Sequence, residues 1–547
     1  MKKILITLLY LFMIHLAFSE NINEYKEEVI LTIDRNLYVI DEYISFSAHI
    51  LTEQETISKV MYIEIITPTG RQISGVKYKI KNNIAAGKIK IPANINTGNY
   101  YIRSYTKYMR NYGPHSYSYQ LLKIINPYKN DILNGSLISD TASVFKAFEN
   151  NSGFFKLSIN TEQPNSRENV KINIKKLGAD SLLNLIVAVS PQSATDFKQV
   201  KFKKSPKSNM NFFPETRGIS LTGVLKDKLS DTTLHRKVVN LTILDEEKHK
   251  FYSAYTQLHG RFFFSLPDCT GNKDIFLSSE HTDNAEPVLL IDNDFCAQNI
   301  SLPNPKFSLT KEEQIIAYKM ATNLEVYKHF AAFSTQKSET KELTNDTLPF
   351  YGLPTHVLLL DNYISLPTFE DYFTEIPFVV KIKKEKDHKK FKIIGTHHEL
   401  NIYEPLIMVD LVPIYNINHI LEIPPQKIER IEVINEPYIK GDLTYGGIIN
   451  IISVNNDFGG VKLPDSGIFL NYSFYYNQTV LPSIPISQKY PDPRNTLYWN
   501  PKLTLDAGNK LEIPFQTGDT KGKYIISVIG ITTAGEIVYS SVDFEVK

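Results

Sequence analysis

The sequence predicts a mostly β protein built from tandem immunoglobulin-like β-sandwich domains, with one α+β unit among them. Three observations carry that expectation. The chain has 547 residues, and at about 100–200 residues per domain this corresponds to roughly three to five domains. Its 32 Tyr and 30 Phe stand beside a single Trp, and with many Ile, Val and Thr they favour pleated, half-buried surfaces. Short runs of alternating apolar and polar residues recur along the chain between turn residues. Hydrophobic residues make up 42% and charged residues 22%, so the chain can build cores and lies outside the disordered regime.

Charge removes one class of function. The 60 Lys+Arg against 59 Asp+Glu leave +1, which gives no bulk support for binding a polyanion, and no nucleic-acid partner is expected. Residues 1–19 read as a secretory signal peptide: Lys2 and Lys3, an apolar run from Ile4, then small residues at Ala17 and Ser19. Cleavage there takes two lysines and no acid, moving the balance from +1 to −1. The apolar run is shorter than the ~20 residues a spanning helix needs. No later run reaches that length, so no transmembrane segment is expected after cleavage. Cys269 and Cys296 are the only cysteines; in an exported chain they are candidates for a disulfide worth about 3 kcal/mol, with two buried thiols as the alternative.

The first unit spans 25–127. Glu27–Asp34, Ile44–Ile50, Met61–Ile66 and Tyr100–Thr106 alternate as strands, with turns at Thr67–Gly70 and Asn96–Asn99. Asp34-Arg35, Tyr38, Asp41-Glu42 and Thr97-Gly98-Asn99-Tyr100 resemble the macroglobulin-like domains of exported bacterial proteins, whose opening reads D-R-x-x-Y-x-x-G-E; Asp41 stands where that pattern has Gly. Residues 150–212 are expected to form a second β-sandwich around Phe155–Ile159, Val170–Ile174 and Leu183–Val189, with Lys198–Lys207 as a solvated loop. In 217–296, Gly218–Leu225, Val238–Ile243 and Thr256–Phe264 resemble the carboxypeptidase-regulatory, transthyretin-like sandwich, a non-catalytic module, and Gly260 suits its turn. Residues 308–347 read as helix and linker. Thr310 with Glu313 makes a capping box, and polar Ser334–Thr347 follows.

Residues 348–460 carry the most functional information. Pro405-Leu-Ile-Met-Val-Asp410, then Ile428-Glu429-Arg430-Ile431-Glu432-Val433, Gly441, and Tyr445-Gly446-Gly447-Ile-Ile-Asn450-Ile-Ile resemble, in that order, the plug domain of TonB-dependent outer-membrane receptors. Such plugs commonly have Gly after the aspartate, where Leu411 stands. The β-branched run after Gly447 reads as a strand buried on both faces. A receptor needs a barrel after its plug, yet 87 residues follow Gly460 and a large barrel needs roughly 220. Residues 465–547 instead read as a C-terminal β-sandwich, in which Gly522-Lys523-Tyr524 echoes Gly98-Asn99-Tyr100 and Trp499 serves as a core anchor.

Signatures of catalysis are missing. There is no G-x-S-x-G, H-E-x-x-H, P-loop or C-x-x-C, nor the Cys-Gly-Glu-Gln thioester of protease-trapping macroglobulins. His397-His398-Glu399 lacks a third ligand of defined spacing, and Asp292-Asn293-Asp294 reads as a turn. No catalytic residue, metal or cofactor is nominated. The resemblances imply a non-enzymatic exported protein of the periplasm or outer membrane. Its plug-like domain would bind or occlude an outer-membrane β-barrel protein, while its sandwiches meet other envelope proteins. A peptide- or glycan-binding accessory of an uptake or secretion system is the alternative.

Overall fold

The computed structural model describes residues 26–52, 56–133, 142–148, 153–202, 211–244, 249–280, 285–331, 348–385, 388–477 and 490–547; the expected signal peptide and the segment Ser334–Thr347 lie outside them. The fold is mostly β, and its units are nested within one another along the chain.

The first sandwich takes β1 (Glu28–Ile33), β2 (Leu37–Val39), β3 (Tyr43–Leu51), β4 (Val60–Ile66), β5 (Gln72–Lys79), β6 (Ile84–Lys90), β7 (Gly98–Tyr105), β8 (Ser118–Ile125) and β9 (Ala142–Lys146). One sheet has the order β1-β3-β6, and β5-β4-β7-β8 lead the other. The chain then lays down β10 (Phe155–Ile159), β11 (Asn169–Lys176) and β12 (Leu182–Pro191), and returns through β13 (Lys198–Phe202) to pair with β8 and β9. Lys198–Phe202 is therefore a strand of the first sandwich rather than a solvated loop; the rest of that lysine-rich segment to Lys207 lies outside the described residues.

A third unit follows with β14 (Ser220–Asp227), β15 (Val238–Leu244), β16 (Lys250–Tyr255), β17 (Arg261–Ser265), β18 (Asn272–Ser279) and β19 (Pro287–Ile291). Its sheets run β17-β14-β19 and β16-β15-β18. Helix α1 (Lys311–Ala331) comes next; Thr310 and Glu313 exchange the two capping bonds at 3.1 and 2.8 Å. Ile316, Ala317, Met320 and Leu324 form its buried stripe.

The mixed-sheet unit contains β20 (His356–Leu359), α2 (Phe369–Thr374), β21 (Val380–Glu385), β22 (His388–Ile393), β23 (Leu406–Val409), β24 (Val412–Pro413), α3 (Ile417–Leu421), β25 (Ile428–Ile434), β26 (Tyr438–Lys440), β27 (Leu443–Tyr445) and β28 (Ile448–Ser453). The chain then goes back. Strand β29 (Ile468–Ser473) pairs with β18 and completes the third unit's sheet. Finally β30 (Tyr498–Leu503), β31 (Lys510–Gln516), β32 (Gly522–Thr532) and β33 (Ile537–Val546) close on β10–β12.

This last step corrects the expected division. Residues 150–212 and 465–547 do not form two sandwiches. Strand β11 pairs with β31, and β12 lies between β30 and β32, so β10–β12 and β30–β33 are halves of one sandwich, while β13 and β29 belong to the first and third units. In β11 the alternation is strict, with Val170, Ile172 and Ile174 buried and Lys171, Asn173 and Lys175 exposed. Its inward residues meet Phe515 and Ile513 of β31 in one core. Strands β10–β12 cannot bury their apolar face alone, and the strands that cover it come after some 300 residues of folded insertion. Pro514 fits because β31 is an edge strand, where the missing N–H breaks no ladder. Half-buried Trp499 lies opposite Ala188 and packs against the core shared with the first sandwich.

The D-R-x-x-Y stretch holds the first and second sandwiches together. Asp34 accepts from Tyr38 Oη at 2.8 Å, Ser45 N at 2.9 Å and Thr496 Oγ1 at 2.5 Å. Arg35 donates to Glu42 at 2.8 Å and stacks over Tyr38, while Glu42 also accepts from Asn495 at 2.6 Å. Asn495 and Thr496 belong to the returning chain. Asp41 has φ 68, the left-handed conformation that explains a glycine in the family pattern; its carboxylate meets Lys90 at 2.8 Å and Lys328 of α1 at 3.4 Å.

His49 on β3 is buried, and its Nδ1 makes no hydrogen bond. Burial, with the Lys502 ammonium adding to it, pulls its pKa down to about 4. Unfolded, it would protonate near 6.5. The folded state thus binds fewer protons in this window. Its stability is complete above about pH 6.5 and is lost as the pH falls toward 4, by about 3 kcal/mol in all. Denaturant titrations from pH 7 to 4 should show that slope, and His49→Gln should flatten it.

Cys269 and Cys296 are both buried and not bonded to each other, so the disulfide alternative is not realised. The backbone of Cys296 is held by Tyr105 and Arg103 of β7, whereas the Cys269 carbonyl accepts from Tyr475 N at 3.2 Å, beside β29. Different partners anchor the two residues.

Candidate functional site

The candidate site is the mixed-sheet unit, because the residues singled out in the sequence converge there. Its sheet has the order β20-β25-β28-β23-β24; β23 and β28 run parallel and the other pairs antiparallel. Period-2 alternation gives the sheet two faces. Leu358, Ile431, Val433, Ile449, Ile451 and Val409 pack with α2 and α3 in one core. Ile434, Ile448, Leu406 and Met408 occupy the other face and pack with Phe251 of the third unit. The β28 run is buried on both faces because each is covered.

Asp410 and Leu411 connect β23 to β24, with Val409 opposite Val412. Both have positive φ, 48 and 63, as a two-residue type I′ turn requires. Asp-Gly is a common occupant of such a turn. Leu411 keeps the strained backbone and buries its side chain beside Met408. The Asp410 carboxylate accepts from Ser453 N at 2.9 Å, Ser453 Oγ at 2.6 Å and Phe458 N at 2.8 Å, tying the turn to the end of β28.

From this turn a run of hydrogen bonds crosses the second face. Asn450 Oδ1 accepts from Leu411 N at 3.2 Å, and its Nδ2 donates to Tyr351 Oη at 2.9 Å. Tyr351 donates to Glu432, which accepts from Arg430 Nε at 2.7 Å, and Arg430 also meets Glu429 at 2.9 Å. Burial raises the Tyr351 pKa, and the Glu432 carboxylate raises it further, so its proton stays in place as a donor. Tyr351 escapes the sequence reading; its only signal is the Phe350-Tyr351 aromatic pair ahead of β20.

The other motif residues stand at the far end. Gly441, with φ 60, turns the β26–β27 hairpin. Burial pushes the Tyr445 hydroxyl up to about 12, and it lies 3.1 Å from Ser253 Oγ of the third unit. A Cβ on Gly446 would stand 2.0 Å from the Tyr403 carbonyl oxygen, and one on Gly447 2.4 Å from that of Ile434. Further bonds fix the unit on the third sandwich: Thr242 Oγ1 donates to the Leu411 carbonyl at 2.8 Å, and His249 Nδ1 to that of Asp410 at 3.0 Å. The structure thus joins Asp410, Asn450, Glu432, Arg430 and Glu429 in one network and uses Gly441, Tyr445, Gly446 and Gly447 as backbone and docking elements. All nine serve the architecture.

The unit also exposes an unusual share of apolar side chains. Of the twenty-eight large apolar side chains exposed among the described residues, twelve fall between Leu348 and Val454. Ile364 is 82% exposed, Leu353 74% and Ile439 70%. Edge strand β20 adds Val357 and Leu359. Among the described residues no group of His, Cys, Asp and Glu could hold a metal ion; His397 caps a short 3-10 turn, His398–Asn401. Asp292 accepts from Thr222 and Arg261, and Asp294 from Lys77 at 2.5 Å. No described helix is long and apolar enough to cross a membrane.

No protein-family model matches the chain, and no curated protein does. Among solved structures, Salmonella alpha-2-macroglobulin reacted with methylamine aligns at 8% identity over 95% of this chain and 39% of its own, with a TM-score of 0.24. The native Escherichia coli alpha-2-macroglobulin aligns at 10% over 96% and 40%, with the same score. Latent PorU of Porphyromonas gingivalis aligns at 8% over 49% and 34%, with a TM-score of 0.17. The chain spans about two fifths of the macroglobulins' length. Its tandem-sandwich architecture stands on the sheet pairings described above.

Proposed function

We propose that this protein is a non-enzymatic, exported scaffold of the periplasm or outer membrane, whose plug-like mixed-sheet unit docks against an outer-membrane β-barrel protein. The observation that carries the reading is the concentration of exposed apolar side chains on that unit, Leu353, Ile364 and Ile439 foremost. An excess of exposed apolar side chains in one unit is the composition a docking surface needs. The order of motifs from Asp410 to Asn450 supports the plug assignment, and the sandwiches supply a stiff support with surfaces for other envelope proteins.

A peptide- or glycan-binding accessory is the second reading, favoured by edge strand β20, whose outward Val357 and Leu359 suit an added strand. A photo-crosslinking residue at Ile364 or Leu353, activated in intact cells, separates the two. An adduct with a barrel protein is expected. Recovery only as an unlinked periplasmic monomer would sink the docking proposal, and a thermal shift with a peptide or glycan panel would then favour the accessory.

A further inference from the structure

The β21–β22 hairpin carries a feature that the plug-like reading leaves unused. In its register Lys381 stands opposite Lys392 and Lys383 opposite Lys390, so alternation sets four lysines on one side. The other side carries Val380, Ile382, Phe391 and Ile393 inward, with Phe391 against Phe373 of α2 at 4.6 Å between ring centroids. The lysine side therefore faces outward. Like charges directly opposite each other destabilise a strand pair. Lys389, on the inward side, meets Glu370 at 2.6 Å, and Lys390 meets Glu404 at 2.9 Å, but Lys381 and Lys392 make no ion pair among the described residues. Lys381, Lys383, Lys392 and Ile394 line one shallow groove of about 470 Å³. Exposed Ile394 lines that groove, and exposed Ile402 and Tyr403 lie in the chain between Asn401, which also lines it, and Glu404, the partner of Lys390.

We infer that this hairpin face docks on an anionic phospholipid surface, its lysines against headgroup phosphates and Ile394, Ile402 and Tyr403 at the acyl boundary. Local charge complementarity argues for an anionic partner on a chain whose net charge is only +1. The adjoining apolar residues argue for a lipid surface over a fully hydrated polyanion. The inference does not depend on which protein the mixed-sheet unit meets.

Sedimentation of the whole chain with phosphatidylglycerol-containing vesicles and with pure phosphatidylcholine vesicles tests it. Binding to the anionic vesicles only is expected, abolished by high salt and unaffected by millimolar inorganic phosphate. Each lysine near an anionic surface contributes about fivefold in affinity, so Lys381→Gln with Lys392→Gln should weaken binding about 25-fold. The same exchange at Lys171 and Lys175, on β11, should leave it unchanged. Removing an opposed like-charge pair should not unfold the hairpin, which circular dichroism checks. Equal binding to both vesicle types, undiminished binding by the Lys381/Lys392 variant, or retention by heparin without vesicle binding would each overturn the proposal.

Discussion

Arg103→Met is expected to destabilise the first sandwich by about 3–5 kcal/mol, among the largest single-residue effects in the molecule. Arg103 and Glu64 are fully buried, with Nε 2.8 Å from the carboxylate. The pair is also the centre of a seam. Arg103 Nη2 donates to the Cys296 carbonyl at 2.8 Å, Tyr105 Oη to Glu64 at 2.7 Å, and Cys296 N to Tyr105 Oη at 2.8 Å. Burial alone would lower the Arg103 pKa, and the Glu64 carboxylate more than reverses that, so the guanidinium stays charged. Without it, Glu64 is a buried, uncompensated charge, and Cys296 keeps only one of its two anchors on β7, the bond to Tyr105. Glu64 Oε1 and Arg103 Nη1 make no hydrogen bond, which marks an imperfectly satisfied pair. Exchanging both residues, Glu64→Leu with Arg103→Met, should therefore recover most of the loss. Urea midpoints of the two single variants and the double variant measure the coupling. An Arg103→Met variant whose unfolding free energy falls by less than about 1 kcal/mol would contradict that role.

Gly447→Ala is expected to cost about 3 kcal/mol or more and to abolish amide protection across β23 and β28, and Gly446→Ala to do the same. Gly447 has φ 89, and its added Cβ would lie 2.4 Å from the Ile434 carbonyl oxygen, so backbone strain and overlap act together. Gly446 lacks a positive φ, but the Tyr403 carbonyl oxygen stands 2.0 Å from its Cβ position, and a backbone atom cannot turn aside as a flexible side chain can. Gly441 is the internal control. It has φ 60 and open space around it, so Gly441→Ala should cost only about 1–2 kcal/mol, the left-handed penalty alone. Hydrogen exchange on the three variants reads the contrast directly. Equal effects at all three would mean that the close approaches at Gly446 and Gly447 do not govern the sheet.

Local structure was legible where local forces decide it. Period-2 alternation located β11 and β31, whose buried residues are β-branched or aromatic side chains. The Thr310–Glu313 capping box located the start of α1, because both of its bonds lie within four residues. The two short helices escaped notice: Phe369–Thr374 and Ile417–Leu421 are too short for a 3.6-residue period to repeat. Asp41 and Leu411 have positive φ, a conformation that glycine adopts without strain, and neither residue type announces it in the sequence. Within the mixed-sheet unit, the motif residues from Asp410 to Asn450 were visible, but their employment was not. Tyr351 joins Asn450 to Glu432 through contacts about 80 and 100 residues away in sequence, and no local spacing announces it.

By itself the sequence determined the class of protein: mostly β, with an ordinary share of core-forming residues, balanced in charge, and punctuated by turns that delimit strands. Those properties follow from composition and from neighbours a few positions apart, where sterics and alternation act. Tertiary structure alone decided which strands share a core. Strand β11 finds β31, β18 finds β29, and the lysines of β21 face those of β22 because each apolar face must be covered and each register sets what lies opposite. Closing a chain over a long insertion costs entropy that grows only slowly with its length. A segment that reads as an independent domain can therefore be half of one whose other half arrives some 300 residues later.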